Sequence, residues 1–248
     1  MSSPAVIPVP GFVSWAYILV GETLALVDPG SPWIVREAER VAREQLGPGA
    51  PPFKRLFATH WHIDHVGGMR YAANRWGAKV MVSERIAYHL RDGKRIVFPA
   101  WPRFWGMVTN RHDMDFQKPV SWPGLVEMER VGLPGSKGSS WKGRVDEYLP
   151  HSVALPGHGD WTLLETPGHS NDSVSFWHAD EGALICGDNI LGGRDRPFVN
   201  RFLWSDQHAS ASLTDLQRFD VRRLLPGHGK LHEGADLLRG LRVKPRRS

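Results

Sequence analysis

Within six residues, His60-Trp61-His62-Ile63-Asp64-His65, the chain places four side chains able to ligate a metal, and Val66-Gly67-Gly68 follow directly. Neutral imidazole nitrogens and carboxylate oxygens suit divalent zinc, iron or manganese. The cluster leaves a strand-like segment, Lys54 to Ala58, so His60 and His62, two apart, point to the same side. The chain then turns, which lets Asp64 and His65 face a second, neighbouring point. A packed core does not use four such groups in one short stretch, and mere solvation does not account for their density. The same kind of glycine-flanked turn recurs at Thr166-Pro167-Gly168-His169-Ser170, at Cys186-Gly187-Asp188 and at Pro226-Gly227-His228-Gly229, each after an apolar run. With Asp28-Pro29-Gly30, these turns collect five of the twelve histidines and three aspartates.

In order along the chain, these segments resemble the signature elements of the metallo-β-lactamase-fold superfamily. Thr59 to Gly68, THWHIDHVGG, carries the resemblance most strongly, and the whole match runs from Asp28 to His228. It implies an α/β fold, a four-layer αββα sandwich with a metal site along one edge between two sheets. It also implies that His60, His62 and His169 hold one divalent ion and Asp64, His65 and His228 a second, with Asp188 bridging them. Asp28 would stand behind the ligands, orienting their loops through a hydrogen bond; its plainer reading is a turn aspartate before Pro29-Gly30. An aspartate at the bridging place, where the zinc β-lactamases use a cysteine or another residue, argues against antibiotic degradation. It favours the branch that includes the hydroxyacylglutathione hydrolases and lactonases.

The chemistry implied is hydrolysis of an ester, thioester or lactone. Two metal ions, zinc first and iron or manganese as alternatives, would share a water and lower its pKa toward neutrality, and the resulting hydroxide would attack. Asp64 is the expected catalytic carboxylate, orienting that nucleophile or carrying its proton. Two rivals follow from the same resemblance. Persulfide dioxygenases share the fold and use one iron held by two histidines and an aspartate. Nucleic-acid phosphodiesterases share it too, but usually add an RNA-binding arm or nuclease domain that is not identifiable here, so a small-molecule substrate is expected rather than nucleic acid. Only 20 residues follow His228, so the helical C-terminal glutathione-binding domain of typical hydroxyacylglutathione hydrolases is not expected, which weakens the glutathione thioester reading but leaves a single-domain relative open.

The elements that must position these groups alternate along the first 90 residues. Phe12 to Val20 and Leu24 to Asp28 flank Gly21-Glu22-Thr23 as a hairpin. Ser31-Pro32 offers a helix N-cap, and Ile34, Ala38, Val41 and Ala42 recur at helical spacing before Gly47. A second helix is expected through Met69, Ala72, Ala73 and Trp76 to Gly77, then a strand over Ala78 to Glu84. Strands are expected again at Trp161 to Thr166, Ser173 to Ala179, Ala183 to Asp188 and Arg222 to Leu225. Helices are expected at Leu213 to Phe219 and near Ala235 to Leu241. Between them, about 91–160 is rich in Pro, Gly and Trp and far longer than an ordinary connection, so it reads as an insertion or lid on a single domain spanning 1–248. Its Trp101, Trp105, Trp122 and Trp141 could line an acyl pocket, pack the insertion down, or form a homodimer interface, and Arg103, Arg111 and Lys142 could receive an anion.

Composition sets the outer bounds. The chain has 248 residues, 41% apolar and 23% charged, which excludes a disordered or fibrous chain. No apolar run approaches the roughly 18 residues a membrane span needs, and MSSPAVIPVPG does not read as a secretory leader. A cytoplasmic protein with no membrane partner is expected. The lone Cys186 cannot form an internal disulfide and reads as a core residue facing the same way as Asp188. The net charge of +5 is concentrated late: Asn189 to Ser248 holds 12 Lys/Arg against 6 Asp/Glu. The tail ending in Arg242, Lys244, Arg246 and Arg247 reads as a solvated terminus, with anion binding as the sharper alternative.

Pro156-Gly157-His158-Gly159 duplicates the letters of the Pro226 turn. Order along the chain favours His228 as the ligand and leaves His158 to a turn or pocket wall. His232, His208, His151, His112, His89 and His178 have no motif around them and read as surface or hydrogen-bonded histidines, with His232 the best placed for a substrate contact.

Overall fold

Apolar side chains alternate in destination along each central strand, and that alternation builds the architecture. The computed structural model describes residues 4–11, 13–96, 110, 126–133, 135–137 and 141–244. One six-stranded sheet contains β1 (Val6–Pro10), β2 (Trp15–Leu19), β3 (Leu24–Val27), β4 (Phe53–Phe57), β5 (Lys79–Ser83) and β6 (Glu147–Leu149), in that order. The other contains β7 (Val153–Leu155), β8 (His158–Glu165), β9 (Val174–His178), β10 (Ala183–Gly187), β13 (Arg223–Pro226) and β14 (His232–Glu233), again neighbour to neighbour. A small ribbon, β11 (Ile190–Leu191) with β12 (Phe198–Val199), follows β10.

In β3, Leu24 and Leu26 face an outer apolar layer while Ala25 and Val27 face the opposite sheet. In β10, Leu184 turns outward and Ala183 and Ile185 turn inward. The inner layer joins Tyr17, Phe57 and Met81 from the first sheet to Trp161, Phe176 and Leu225 from the second. Helices α1 (Pro32–Leu46) and α3 (Met69–Trp76) cover the first sheet through Ile34, Ala38, Met69 and Ala72. Helix α5 (Asp206–Leu216) covers the second through Leu213 and Leu216. Three apolar layers between four tiers of structure make the αββα sandwich, and because central strands are buried on both faces they read as continuous apolar runs.

Ser31 caps α1, its hydroxyl accepting from Ile34 N at 3.2 Å, and Gly77 ends α3 at φ +59°. Helix α1 crosses over between the parallel strands β3 and β4, and α5 between the parallel β10 and β13. Two short helices, α2 (Ile63–Val66) and α4 (Glu84–Leu90), follow β4 and β5. No described helix is long and apolar enough to cross a membrane.

Several expectations need correction. Within 91–160, β6, β7 and the start of β8 belong to the main sheets, so the atypical segment is narrower than its composition suggests. Helix α5 begins at Asp206, capped by Ser205, and ends before Phe219. The segment 235–241 forms turns rather than a helix, because Asp236 (φ +55°) and Gly240 (φ +73°) are left-handed. Strand β1, with Pro8 and Pro10, lies at a sheet edge where proline is tolerated. Cys186 packs into the outer layer, away from Asp188, because the β10–β13 register shifts here and Gly187 turns the chain at φ +51°. Trp101, Trp105, Trp122, Arg103, Arg111, His112, Arg246 and Arg247 lie outside the described residues.

Candidate metal centre

Strands β3, β4, β8, β10 and β13 all end at one edge, where the seven expected ligands and Asp28 gather. His60, His62, Asp64 and His65 leave β4; His169 follows β8; Asp188 follows β10; His228 follows β13. The sheets are stitched together beneath them. Tyr17 Oη donates to Pro226 O at 2.6 Å, Trp15 N to Gly227 O at 2.8 Å, and Val174 N to Thr59 O at 2.7 Å.

The side chains converge on two adjoining points. His60, His62 and His169 form one group whose ligand atoms lie within 4.8 Å of one another, and Asp64, His65 and His228 form another. A third group, His60, His65 and Asp188, lies between them. Asp188 Oδ2 lies 3.6 Å from His169 Nε2 and 3.2 Å from His228 Nε2, which puts one carboxylate in reach of both poles. Asp64 Oδ2 is 3.2 Å from His228 Nε2 and 3.7 Å from His65 Nε2.

The outward-facing ring nitrogens fix which atom each histidine presents. Asp28 Oδ2 accepts from His65 Nδ1 (2.9 Å), Phe202 O from His169 Nδ1 (2.8 Å), and Val13 O from His228 Nδ1. His60 Nδ1 lies 3.1 Å from Thr59 Oγ1, whose own proton goes to Asp28 Oδ2 at 2.7 Å. Four rings therefore aim Nε2 inward, the arrangement that supporting acceptors give to metal-binding histidines. His62 instead brings Nδ1 to 3.1 Å from His169 Nε2. His60 Nε2 is buried and without a hydrogen-bond partner. An inward-facing orphan nitrogen in a cage of imidazoles and carboxylates fits a divalent cation.

Electrostatics divides the cluster. Burial pushes His60 and His169 below the ordinary imidazole range and takes His62 down to about 4, so the three-histidine pole is neutral. At the other pole burial opposes the charged forms, but carboxylates outweigh it. Asp188, Asp64 and Asp28 hold His65 well above its ordinary value, and Asp188 and Asp64 raise His228 to about 10. Asp64 and Asp188, despite their burial, are held below the usual carboxylate range by His65 and His228. A carboxylate-rich pole that draws in protons is one that a divalent cation can occupy in their place.

Close approach explains the glycines. A Cβ at Gly30 would stand 2.0 Å from Asp64 O, and one at Gly227 would stand 2.2 Å from Asp188 Oδ1 and 2.8 Å from His65 Cε1. Sequence reasoning missed the amides and the carboxylate behind the ligands. Asn189 Oδ1 accepts from His169 N at 3.0 Å, Asn200 Nδ2 donates to Asp188 O at 2.7 Å, and Asp172 Oδ2 accepts from Trp61 N at 2.9 Å. Loop asparagines and aspartates carry no pattern of their own; adjacency to a ligand turn is the only signal they offered.

The remaining histidines fall elsewhere. His158, the first residue of β8, is buried beside Gly21 and joins none of the three groups. His232 Nε2 lies 3.0 Å from Gly193 O. His89 is buried, not at the surface, with Nε2 3.2 Å from Asn171 Oδ1. His178 stacks edge-on against Trp161, His151 accepts from Glu165 N, and exposed His208 bonds Ser205. Trp141 packs edge-on against Trp61, at 5.1 Å between centroids, so this tryptophan braces the ligand loop, while Lys142 is exposed. Burial raises the Cys186 thiol far above its ordinary value, leaving it inert.

The family model described as "Metallo-beta-lactamase superfamily" matches residues 9–228. A "Probable metallo-hydrolase YflN" of Bacillus subtilis is 22% identical over 220 residues, covering 84% of this chain and 75% of that one. Among solved structures, the metallo-beta-lactamase family protein TTHA1429 of Thermus thermophilus aligns with a TM-score of 0.59 at 23% identity, over 95% of this chain and 76% of that one. TTHA1623, solved in a di-iron-bound form, aligns with a TM-score of 0.56 at 19% identity, over 92% and 93%.

Proposed function

Since the chain belongs to the metallo-beta-lactamase superfamily, we propose that it is a binuclear metal-dependent hydrolase, zinc-loaded, that cleaves an ester, thioester or lactone of a small molecule. The observation that carries this reading is Asp188, whose Oδ2 lies within 3.6 Å of a nitrogen from each pole. One metal would be held by His60, His62 and His169, a second by Asp64, His65 and His228, with Asp188 shared. Two such ions supply a water acidified to near neutrality and a Lewis acid for the substrate carbonyl.

The chain's own residues do the rest. Asp64 is the catalytic carboxylate: it stays ionised and only partly buried, with a side chain 26% exposed, so it can orient a water or move its proton. Asp28 fixes the ring of His65 and, through Thr59, that of His60. Asn200 and Asn189 clamp the Asp188 and His169 turns. Chain closure behind the site, through Tyr17 and Trp15, keeps the two poles at fixed separation.

The test is metal content per chain, measured by plasma mass spectrometry on protein purified without chelator or added metal, followed by a panel of lactones, thioesters and esters. About two equivalents of zinc with hydrolysis of one panel class is the expected result. One equivalent of iron with oxygen consumption would replace this reading with a dioxygenase.

A further inference from the structure

One open groove lies outside the candidate ligand cluster. It has a volume of about 1040 Å³ and lies between the turn 193–201 and the C-terminal segment 232–244. Arg194, Arg196 and Arg201 come from one wall and Arg239, Arg242 and Lys244 from the other. Three carboxylates also line it, but Glu233 pairs with Arg223 at 3.2 Å and Asp236 with Arg239 at 3.3 Å, leaving Asp195. Arg194, Arg196, Arg242 and Lys244 have no ion-pair partner among the described residues. Two segments some forty residues apart thus bring uncompensated positive charge to one void, an arrangement that costs self-repulsion unless an anion relieves it.

The C-terminal segment is packed down as far as Val243, with Arg242 and Lys244 exposed. Leu237, Leu238, Leu241 and Val243 anchor it to the apolar layer outside the second sheet, so its cations are held over the groove. The groove also adjoins the metal centre through the main chain. Gly192 N donates to His228 O at 2.9 Å, and Gly192 O accepts from Lys230 N at 3.1 Å. We propose that the groove is a binding site for a phosphate-bearing small molecule, with Arg194, Arg196, Arg242 and Lys244 receiving its charged group. Its volume suits a ligand of that size rather than an extended strand, and Phe198 and Leu237 offer apolar surface for the uncharged remainder.

The site is testable without any knowledge of turnover. Calorimetric titration of the metal-loaded, full-length protein with tripolyphosphate and with ADP should give saturable binding that weakens from roughly 50 to 200 mM salt. Arg194→Glu combined with Arg242→Glu should weaken both ligands more than about tenfold, and the milder Arg194→Gln with Lys244→Gln should weaken them several-fold. Arg218→Glu, which changes net charge by as much as the milder pair, is the control for that pair: Arg218 is exposed after α5 and pairs with Asp215, outside the groove. It should leave binding within about twofold. Absence of binding by both ligands overturns the proposal, as does equal weakening by the control. Binding of a short single-stranded RNA without binding of tripolyphosphate or ADP overturns the small-molecule assignment.

Discussion

Asp28 Oδ2 lies 2.9 Å from His65 Nδ1, and this buried contact carries the order of the first ligand loop. The two carboxylate oxygens take three donors: Thr59 N and Thr59 Oγ1, each at 2.7 Å, and the His65 ring. Asp28 does so from a left-handed backbone, φ +56°, a conformation that aspartate and asparagine tolerate better than most residues. Asp28→Asn therefore keeps backbone and volume but sets an amide N–H₂ against one of those donors. The expected loss is roughly 10–100-fold in metal affinity at the Asp64–His65–His228 pole. Competition titration with a chromogenic chelator checks it; unchanged affinity would remove Asp28 from the support of that pole.

The sequence disclosed the candidate ligands because their residue types are rare together and their turns carry glycine. It disclosed the central strands because burial on both faces leaves unbroken apolar runs such as Leu24–Val27 and Ala183–Cys186. What stayed hidden depends on tertiary contact. Asn189, Asn200 and Asp172 act only once distant turns are brought together. Strand β1 has its alternation interrupted by prolines that only an edge position permits. Segment 235–241 has helical spacing, and two left-handed residues overrule it.

The duplicated Pro-Gly-His-Gly turns give a paired prediction. Asp188 faces both poles and His228 faces Asp64 and Asp188, whereas His158 opens β8 away from them. Asp188→Ala should drop one metal equivalent and lower kcat by more than roughly a hundredfold. His158→Ala should retain both metals and most activity. If metal analysis found a site emptied in His158→Ala but filled in His228→Ala, the choice between the two turns would be reversed.

His158 should instead reveal itself through acid stability. Burial, and then the nearby Arg55, lower its pKa to about 4, against about 6.5 in an unfolded chain. The unfolded state therefore binds the proton first as pH falls. The stability this neutral histidine permits is complete above about pH 6.5 and is lost progressively from there toward about pH 4, by of order 1–3 kcal/mol once solvent contact is allowed for. Urea melts at stepped pH, compared with His158→Gln, isolate the effect: the variant should lose less stability between pH 7 and 4.5. Parallel curves would refute the assignment.

Removing metal should cost stability as well as activity. A cage that binds the folded but not the unfolded chain stabilises it by RT ln(1 + [L]/Kd), about 4 kcal/mol at a thousandfold excess over Kd. Treatment with a strong chelator should lower Tm by several degrees, and added zinc should restore it. An unchanged Tm on chelation, with metal loss verified, would mean that the unfolded chain holds the metal as tightly as the folded cage does.

Asp172 supports the other pole, and its removal should be felt there selectively. Its Oδ2 accepts from Trp61 N at 2.9 Å, the backbone donor between His60 and His62, in a site where Trp61 is wholly buried. On the far side, Asn171 is tied to α4, its side chain 3.2 Å from His89 Nε2 and its carbonyl accepting from Arg85 Nη1 at 3.0 Å. Asp172→Ala strands a buried N–H, which costs about 1–3 kcal/mol, and frees the segment that sets the His60–His62 angle. Asp172→Asn keeps an acceptor at that place and should recover much of both. Stepwise metal titration should show the His60–His62–His169 pole weakened roughly 10–100-fold in the alanine variant, with the carboxylate pole changed far less. Equal weakening of both poles would mean that Asp172 holds up the fold at large, and unchanged affinity would mean that Trp61 N is positioned without it.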